Sequence, residues 1–159
     1  MSIDDNFPFE QTRHVRDTCL CLHVRQAARA LARHIDEVFR PLGLTNGQFS
    51  LLMSLNRPSP PVMGEVAALL AMDRTTLTAA LKALKRRGLV EVRADERDRR
   101  GRRLHMTPGG RALLGKAYPL WVAAHGEIDE VLGRAGADRV RRDLTRIVQH
   151  LDSGRRSAA

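Results

Sequence analysis

The amino-acid sequence predicts a mainly α-helical protein that contains one small β hairpin. Apolar residues make up 43% of the 159 residues but aromatic residues only 4%, which favours a core of leucine, alanine and valine in a mostly helical chain. The apolar residues recur at spacings of three and four along most of the chain, as on one face of a helix. The pattern changes between about residues 89 and 106, where two short β-capable segments flank a charged loop.

The first long helix is expected between Thr18 and Phe39, after an N-terminal arm that comprises residues 1–17. Its apolar stripe consists of Leu20, Cys21, Val24, Ala27, Ala28, Leu31, Ile35, Val38 and Phe39. Pro41 and Gly43 end this helix, because the one lacks a backbone donor and the other is a common C-terminal stop.

The central part of the chain predicts two short helices. Thr45 and Gln48 have the spacing of a capping box, in which the hydroxyl and the amide satisfy backbone groups at the start of a helix. The proline-rich segment 57–61 cannot be helical throughout and is expected to be a linker. Residues 64–70 then form one short helix.

The next predicted helix has an apolar face and a short, polar face. Asp73 is its expected N-cap, the helix runs over about residues 74–87, and Gly88 stops it. The inward stripe consists of Leu77, Leu81 and Leu84. The opposite face consists of Arg74, Thr75, Thr78, Ala79 and Lys82. Short side chains with two cations are suited to lying in a major groove.

The C-terminal part predicts two further helices. Thr107 and Pro108 have the pattern of an N-cap followed by proline at the first helical position, and this helix of about six turns is interrupted near Gly133 and Gly136. The stripe of the last helix consists of Val140, Leu144, Ile147, Val148 and Leu151. Residues 153–159 are expected to form a disordered tail.

Positive charge is concentrated in one short region. Residues 74–103 contain eleven Lys or Arg and four Asp or Glu, so they hold +7 of the net charge of +9. Because this region combines a capped helix with a hairpin loop, the charge predicts binding to double-stranded DNA. The long helices at the two chain ends are more than a small DNA-binding lobe needs, which favours a helical dimer interface.

Several motifs in register over about residues 18–150 resemble the MarR family of winged helix-turn-helix regulators. The first motifs are Leu44-Thr45-x-x-Gln48-Phe49, Glu65-Val66-Ala67, Asp73-Arg74-Thr75-Thr76-Leu77-Thr78 and Gly88-Leu89-Val90. The later ones are Asp95-x-Arg97-Asp98-x-Arg100, Met106-Thr107 and Gly110-Arg111. Any one of them would be weak evidence, whereas their common order makes the resemblance specific.

The resemblance implies a winged helix-turn-helix domain over residues 18–152. Its DNA-binding lobe would span about residues 45–107, with dimerisation helices at about 18–40 and 108–152. It also implies a homodimer that binds a palindromic operator, most often as a repressor released by a small-molecule effector or an oxidant. Aromatic carboxylates or their thioesters are plausible effectors from the family alone.

By the same resemblance, Arg74 to Lys82 would be the recognition helix, and Arg100 the wing arginine that enters the minor groove. Asp98 would hold that arginine by an ion pair. An arginine on a loop is also what a narrow, electronegative minor groove attracts. The predicted DNA-binding residues are Arg74, Thr75, Thr76, Thr78, Lys82, Arg97, Asp98, Arg99, Arg100 and Arg102. Ala71 stands where the family often has glycine, so we expect this turn to avoid a positive φ.

The first helix carries three candidate ligand or redox residues, Cys21, His23 and Arg25. Members of the family that sense peroxides have a reactive cysteine near this position, but they hold the thiol with tyrosines, and the single tyrosine here is Tyr118. One interpretation is therefore a buried Cys21 that acts as a small hydrophobe. The other is a redox-active thiol assisted by Arg25. A Cys19–Cys21 bond within one helix is not expected.

Other classes of protein find little support. The six histidines have no spacing typical of a metal site, no catalytic grouping or phosphate loop is recognised, and so we expect no enzyme, cofactor or metal. The N-terminus lacks a signal peptide and no apolar segment could span a membrane, which predicts a cytoplasmic protein. A non-specific architectural DNA-binding protein remains an alternative, and it would bind DNA through charge alone.

Overall fold

The computed structural model describes residues 7–95 and 101–157, with residues 154–157 described by their backbone alone. The helices are α1 (Phe9–Thr18), α2 (Leu20–Phe39), α3 (Asn46–Leu55), α4 (Met63–Leu69), α5 (Arg74–Arg86), α6 (Pro108–Leu132) and α7 (Arg134–Ser157), and the strands are β1 (Val90–Ala94) and β2 (Arg102–Met106). A 3₁₀ turn, Arg40–Leu42, follows α2. The prediction of a mainly α-helical fold with one β hairpin is confirmed. The chain divides into two compact units, Met1–Leu114 and Gly115–Ala159.

The core of the first unit is aliphatic, as the composition predicted. It is formed mainly by Ile35, Phe39, Leu44, Phe49, Leu51, Leu52, Leu55, Val66, Leu77, Leu81, Leu84, Leu89, Val90, Leu104 and Met106. The rings of Phe39 and Phe49 lie 4.8 Å apart between centroids, so the end of α2 packs on α3. Full burial of one such side chain contributes about 1.5–3 kcal/mol. This core fixes the position of α5 and the hairpin.

Hydrogen bonds from side chains begin the helices α3 and α6. The Thr45 hydroxyl accepts from the Gln48 amide N–H at 3.2 Å, and the Gln48 side chain accepts from the Thr45 N–H at 3.3 Å. This confirms the predicted capping box. The Thr107 hydroxyl accepts from the Gly110 N–H at 3.1 Å and donates to the Gly88 carbonyl at 2.7 Å, which joins the start of α6 to the end of α5.

Gly110 allows α6 to approach β1 closely. A Cβ atom at this position would lie 2.3 Å from the Leu89 carbonyl oxygen and 2.8 Å from Cγ of Met106. Real Cβ atoms do not come so close to a backbone oxygen, so only glycine fits without a shift of the backbone. The sequence identified Gly110 through a motif but did not predict this contact.

The hairpin is antiparallel and pairs Val90 with Met106 and Val92 with Leu104. A third segment joins it, because Val62 pairs with Arg103 and the Leu104 N–H donates to the Pro61 carbonyl at 2.9 Å. The segment 57–61, predicted to be only a linker, therefore ends as a short edge of this sheet. A proline can lie there because its carbonyl still accepts a hydrogen bond.

Two predictions about the chain ends are wrong. Residues 9–17, assigned to an N-terminal arm, and Thr18, expected to begin the first long helix, form the helix α1, and Cys19 separates α1 from α2. No residue of α1 is buried. Its sequence lacks the apolar spacing that reveals an amphipathic helix, and therefore the periodicity did not predict it. At the other end α7 continues to Ser157, past Ser153, where a disordered tail was expected to begin.

The second unit contains most of α6 and all of α7. Gly133 has φ of +66° and separates the two helices, as predicted. Arg141 forms ion pairs with Asp129 of α6 and with Asp138 of α7, and it joins the two helices. On α6 the Trp121 and His125 rings stack with centroids 4.0 Å apart.

Candidate nucleic-acid interface

The N-terminus of α5 is held by Asp73, as the sequence predicted. One carboxylate oxygen accepts from the Thr76 N–H at 2.8 Å, and the other accepts from the Thr76 hydroxyl at 2.6 Å. These hydrogen bonds favour the charged carboxylate, and they hold the pKa of Asp73 below its usual range. The hydroxyl of Thr76, a predicted DNA-binding residue, is therefore engaged in the cap.

The two faces of α5 are as the sequence predicted. Leu77, Leu81 and Leu84 are buried. On the opposite face Arg74, Thr75, Thr78, Ala79 and Lys82 are exposed. The Thr78 hydroxyl donates to the Arg74 carbonyl at 2.7 Å, so it lies close to the helix surface. The exposed face of α5 is therefore polar and consists of short side chains between two cations, Arg74 and Lys82.

The turn between α4 and α5 contradicts one expectation. Ala71 has φ of +49°, in the left-handed region, whereas we predicted that alanine would avoid it. The Met72 N–H donates to the Ala67 carbonyl at 2.9 Å and the Ala71 N–H to the Ala68 carbonyl at 3.3 Å. This is the Schellman pair of hydrogen bonds, which satisfies the last carbonyls of α4 and requires a left-handed residue at the position of Ala71.

The cluster of positive charge divides into two groups. Arg87 donates to the Gly43 carbonyl at 2.7 Å and to the Gln48 side chain at 3.3 Å, so it joins the end of α5 to the start of α3. Arg93 pairs with Glu91 at 2.7 Å on the surface of β1. By contrast Arg74 and Lys82 form no ion pair among the described residues. Arg74 and Lys82 therefore remain available to a polyanion, whereas Arg87 and Arg93 are held by contacts within the chain.

Near the loop end of the hairpin Arg103 is half-buried and is also held by contacts within the chain. Its Nη2 atom lies 2.9 Å from Oδ2 of Asp95, whose side chain is only 8% exposed, and its Nη1 atom donates to the Pro60 carbonyl at 2.8 Å. The hydrogen bond with Asp95 raises the pKa of Arg103. Sequence reasoning missed this contact, since charges separated by eight residues pair here only because the two strands are in register.

The tip of the hairpin holds four of the predicted site residues, Arg97, Asp98, Arg99 and Arg100. They lie outside the residues that the structure describes, so the ion pair between Asp98 and Arg100 stays a prediction. Arg102, at the start of β2, is exposed. The tip is joined to the sheet by the Asp95 N–H, which donates to the Gly101 carbonyl at 3.1 Å.

The three candidate ligand or redox residues lie in the first two turns of α2. Cys21, His23 and Arg25 are all exposed in the single chain, and Cys19 is half-buried. The single chain therefore does not bury Cys21, and the interpretation of a buried thiol stays a prediction that requires a second copy of the chain to cover it. Cys19 is the N-cap residue of α2 and is extended, with ψ of 103°. The argument against a bond between the two cysteines assumed that both lie within one helix, and the structure does not show this.

Other kinds of site find no support in the described part of the chain. Residues 7–95 and 101–157 contain no group of three or more His, Cys, Asp or Glu side chains placed to hold a metal ion. Within the same residues, none of the helices has the length and apolar character needed to cross a membrane.

A two-helix motif, α4 and α5, followed directly by a β hairpin defines a winged helix-turn-helix DNA-binding protein. The comparisons agree. A profile of the MarR family matches residues 42–101. Over 141 residues the chain is 33% identical to the transcriptional activatory protein BadR of Rhodopseudomonas palustris, and the match covers 86% of this chain and 79% of BadR. The chain belongs to the MarR family, and it is a DNA-binding transcriptional regulator.

Solved structures are similar over almost their whole length. The Mycobacterium tuberculosis transcriptional regulator MosR in complex with DNA is 41% identical with a TM-score of 0.76, and the match covers 85% of this chain and 97% of MosR. The transcriptional repressor CouR bound to a 23-mer DNA duplex is 30% identical with a TM-score of 0.77, and the match covers 84% of this chain and 95% of CouR. These matches confirm the predicted regulator and exclude an enzyme.

Proposed function

We propose that the protein is a homodimeric repressor that recognises a palindromic operator and is released by a small, aromatic effector. The exposed face of α5 carries this proposal. Its outward residues, Arg74, Thr75, Thr78 and Lys82, lie on a helix that Leu77, Leu81 and Leu84 fix from behind and that Asp73 caps. Two such helices about 34–36 Å apart would enter successive major grooves of one operator.

The wing would supply the second contact. Arg97, Arg99, Arg100 and Arg102 belong to the hairpin tip and its border, and a minor groove attracts arginine. Removal of Arg100 is expected to lower operator affinity by about 1–3 kcal/mol if it makes a specific contact. The matched control is Arg93→Ala, which removes one cation from the same hairpin, where Glu91 already pairs it. Equal operator affinity of Arg100→Ala and the unchanged protein would contradict the wing assignment.

Apolar side chains that remain exposed in the single chain support the homodimer. On α2, Leu20, Val24 and Leu31 are between 37% and 55% exposed. On α7, Val140, Leu144, Ile147, Val148 and Leu151 are between 37% and 61% exposed. A contiguous apolar stripe on a helix marks an interaction surface rather than a solvated one. A second copy of the chain would cover both stripes.

The effector would act through this dimer. Cys21, His23 and Arg25 are candidate ligand contacts, because all three are exposed in the first two turns of α2 and they include a cation and a ring nitrogen. A ligand releases the operator only if it prefers a dimer in which the recognition helices are wrongly spaced. The relatives point in two directions, since CouR is a repressor and BadR an activatory protein. Promoter transcription measured with and without the protein tests repression directly.

The first experiment is fluorescence anisotropy with labelled DNA from the region upstream of the gene and with a scrambled duplex. At about 150 mM salt, a specific regulator prefers the upstream DNA by about a thousandfold or more. Equal affinity for both duplexes, with a steep salt dependence, would instead indicate an architectural protein. Candidate aromatic carboxylates are then added to the bound complex, and a fall in anisotropy identifies an effector.

A second candidate function is peroxide sensing through Cys21. The Cys21 thiol is exposed in the single chain, and Arg25 follows one turn later on α2. Both favour this candidate, because a reactive thiolate needs electropositive, partly exposed surroundings. One equivalent of an alkyl hydroperoxide should then lower both the thiol titre and the operator affinity. Cys21→Ser should remove the response, and Cys19→Ser is the matched control. An unchanged affinity and thiol titre would exclude this candidate.

A further inference from the structure

An ion pair beside the loop 96–100 connects three separate segments of the chain. Asp95 follows β1, Arg103 lies in β2, and Pro60 precedes α4. The Arg103 guanidinium contacts the other two, with Nη2 2.9 Å from the Asp95 carboxylate and Nη1 2.8 Å from the Pro60 carbonyl. We call this arrangement the wing-base ion pair, because it lies at the base of the loop 96–100.

The wing-base ion pair lies where the hairpin contacts the segment that leads into α4. Val62 pairs with Arg103 through the backbone, and the Val62 N–H also donates to the Glu65 carboxylate at 3.2 Å, at the start of α4. The Leu104 N–H donates to the Pro61 carbonyl at 2.9 Å. A change in the direction of the hairpin relative to α4 would therefore have to break contacts of Arg103.

The same ion pair also borders the hairpin tip. The Asp95 N–H donates to the Gly101 carbonyl at 3.1 Å and brings the two ends of the loop 96–100 together. The Asp95 side chain is 8% exposed and that of Arg103 is 32% exposed. A buried carboxylate that loses its cation is strongly destabilising, so Asp95 and Arg103 are expected to act as one unit.

We propose that Arg103 is a positioning residue for DNA binding, which holds the wing in a fixed direction relative to α4 and α5 through Asp95 and Pro60. It does so without contacting DNA. The inference rests on the proposed function, in which the wing contacts the operator. It distinguishes Arg103 from Arg102, the neighbouring cation on the same strand, which is exposed and is a predicted DNA-binding residue.

The proposal makes a counterintuitive prediction for Asp95→Asn. This substitution removes one negative charge and raises the net charge by one, so electrostatics alone would tighten the binding to DNA. A loosened wing would instead weaken binding to the operator. We expect operator affinity to fall by about tenfold for both Asp95→Asn and Arg103→Met, and the double variant to be no weaker than the single ones, since both remove the same contact.

The test measures operator affinity of the full-length dimer by anisotropy over a range of salt concentrations. Arg103→Met should leave the slope of log affinity against log salt unchanged, because it removes no phosphate contact. Arg102→Met, matched in charge and strand, should lower the slope by about one. Arg103→Lys, which keeps the charge but cannot span both partners, should behave like Arg103→Met and guards against a variant that fails to fold.

Three results of the binding measurements would overturn the proposal: a slope reduced by about one in Arg103→Met, an unchanged affinity, or tighter operator binding by Asp95→Asn. Hydrogen exchange of the Leu104 amide in the free protein tests the role of Arg103 without DNA, so its outcome does not depend on the proposed function. If the unchanged protein showed no preference for the operator, the proposed function would fail, whereas the wing-base ion pair would still predict faster Leu104 exchange in Arg103→Met. Unchanged exchange would overturn it as well.

Discussion

The helix-turn-helix with its wing and the terminal helices have the same apolar spacing, but they differ in whether the single chain buries the apolar side chains. In the first region the stripes are buried within the chain, as in α5, where Leu77 and Leu84 have no exposed surface. In α7 the corresponding stripe stays exposed, and Leu151 is 61% exposed. The first region therefore carries its own core, whereas the exposed stripe of α7 would be covered only in the proposed dimer.

The helix starts differ as well. Thr45 and Asp73 accept hydrogen bonds from the first turns of α3 and α5, and Thr107 does so where α6 follows the hairpin. Within the described chain, the N-cap side chains of α1, α2 and α4 accept no hydrogen bond from the helix. In α3 and α5 a cap and a buried apolar face occur together, so their positions are set by the single chain.

The largest effect is expected from Gly110→Ala. The new Cβ would meet the Leu89 carbonyl oxygen at 2.3 Å, and neither backbone segment can move without disturbing β1. The free energy of unfolding should fall by about 3 kcal/mol, which urea denaturation followed by circular dichroism would measure.

Gly109→Ala is the matched control for that substitution. It lies one residue earlier in the same helical turn, and its Cβ would meet no described atom closer than 3.7 Å. Its free energy of unfolding should stay within about 0.5 kcal/mol of the unchanged protein. Equal destabilisation by the two substitutions would mean that the close approach of α6 to β1 does not matter.

The second prediction concerns the exposed stripe of α7. Ile147→Glu would place a charge in the proposed dimer interface, where an unpaired charge costs several kcal/mol. The dissociation constant of the dimer should rise by about a hundredfold or more, which sedimentation would detect as a monomer at micromolar concentration. Far-ultraviolet circular dichroism should still report a folded first unit.

Gln149→Glu controls for the added charge. It lies two residues further along α7 at an exposed polar position, where a glutamate is expected to leave the dimer intact. A dimer that survives Ile147→Glu unchanged would remove α7 from the interface and with it the main difference between the two regions.

The third prediction concerns the Asp73 cap. The pKa of Asp73 is lowered in the folded protein, so its stabilising contribution is present above the unfolded pKa of about 3.9 and is lost as pH falls through the lowered value. Asp73→Ala should lower Tm by about 3 °C at pH 7, and the difference should shrink near pH 3.

Asp73→Asn keeps an oxygen acceptor for the Thr76 N–H but cannot titrate. Its Tm should therefore lie between those of the unchanged protein and Asp73→Ala at pH 7, and its difference from Asp73→Ala should depend little on pH. A Tm difference between the unchanged protein and Asp73→Ala that is the same at both pH values would rule out the carboxylate as the cause.

What could be predicted from the sequence follows the same division. The core stripes, the caps and the hairpin were predictable because each depends on residues three or four apart or on a local turn. The contacts of Arg87 and Arg103 were not, since they join segments that only the folded chain brings together. The helix α1 was missed because it buries no side chain, and the exposure of Cys21 was missed because a stripe does not reveal whether a second chain is needed to cover it.

The smallest effect is expected at the turn between α4 and α5, where two left-handed turns of the same region can be compared. Ala71 and Gly88 both occupy the left-handed position, at φ of +49° and +68°. Alanine is strained there, whereas glycine is not but loses more backbone freedom on folding. Ala71→Gly should therefore stabilise the protein by less than about 1 kcal/mol, and Gly88→Ala should destabilise it by about 1 kcal/mol, as measured by urea denaturation. A Cβ at Gly88 would meet no described atom within 4 Å, so backbone strain is the only cost. If Ala71→Gly destabilised the protein, the alanine side chain would have to contribute more by contact than its left-handed backbone costs.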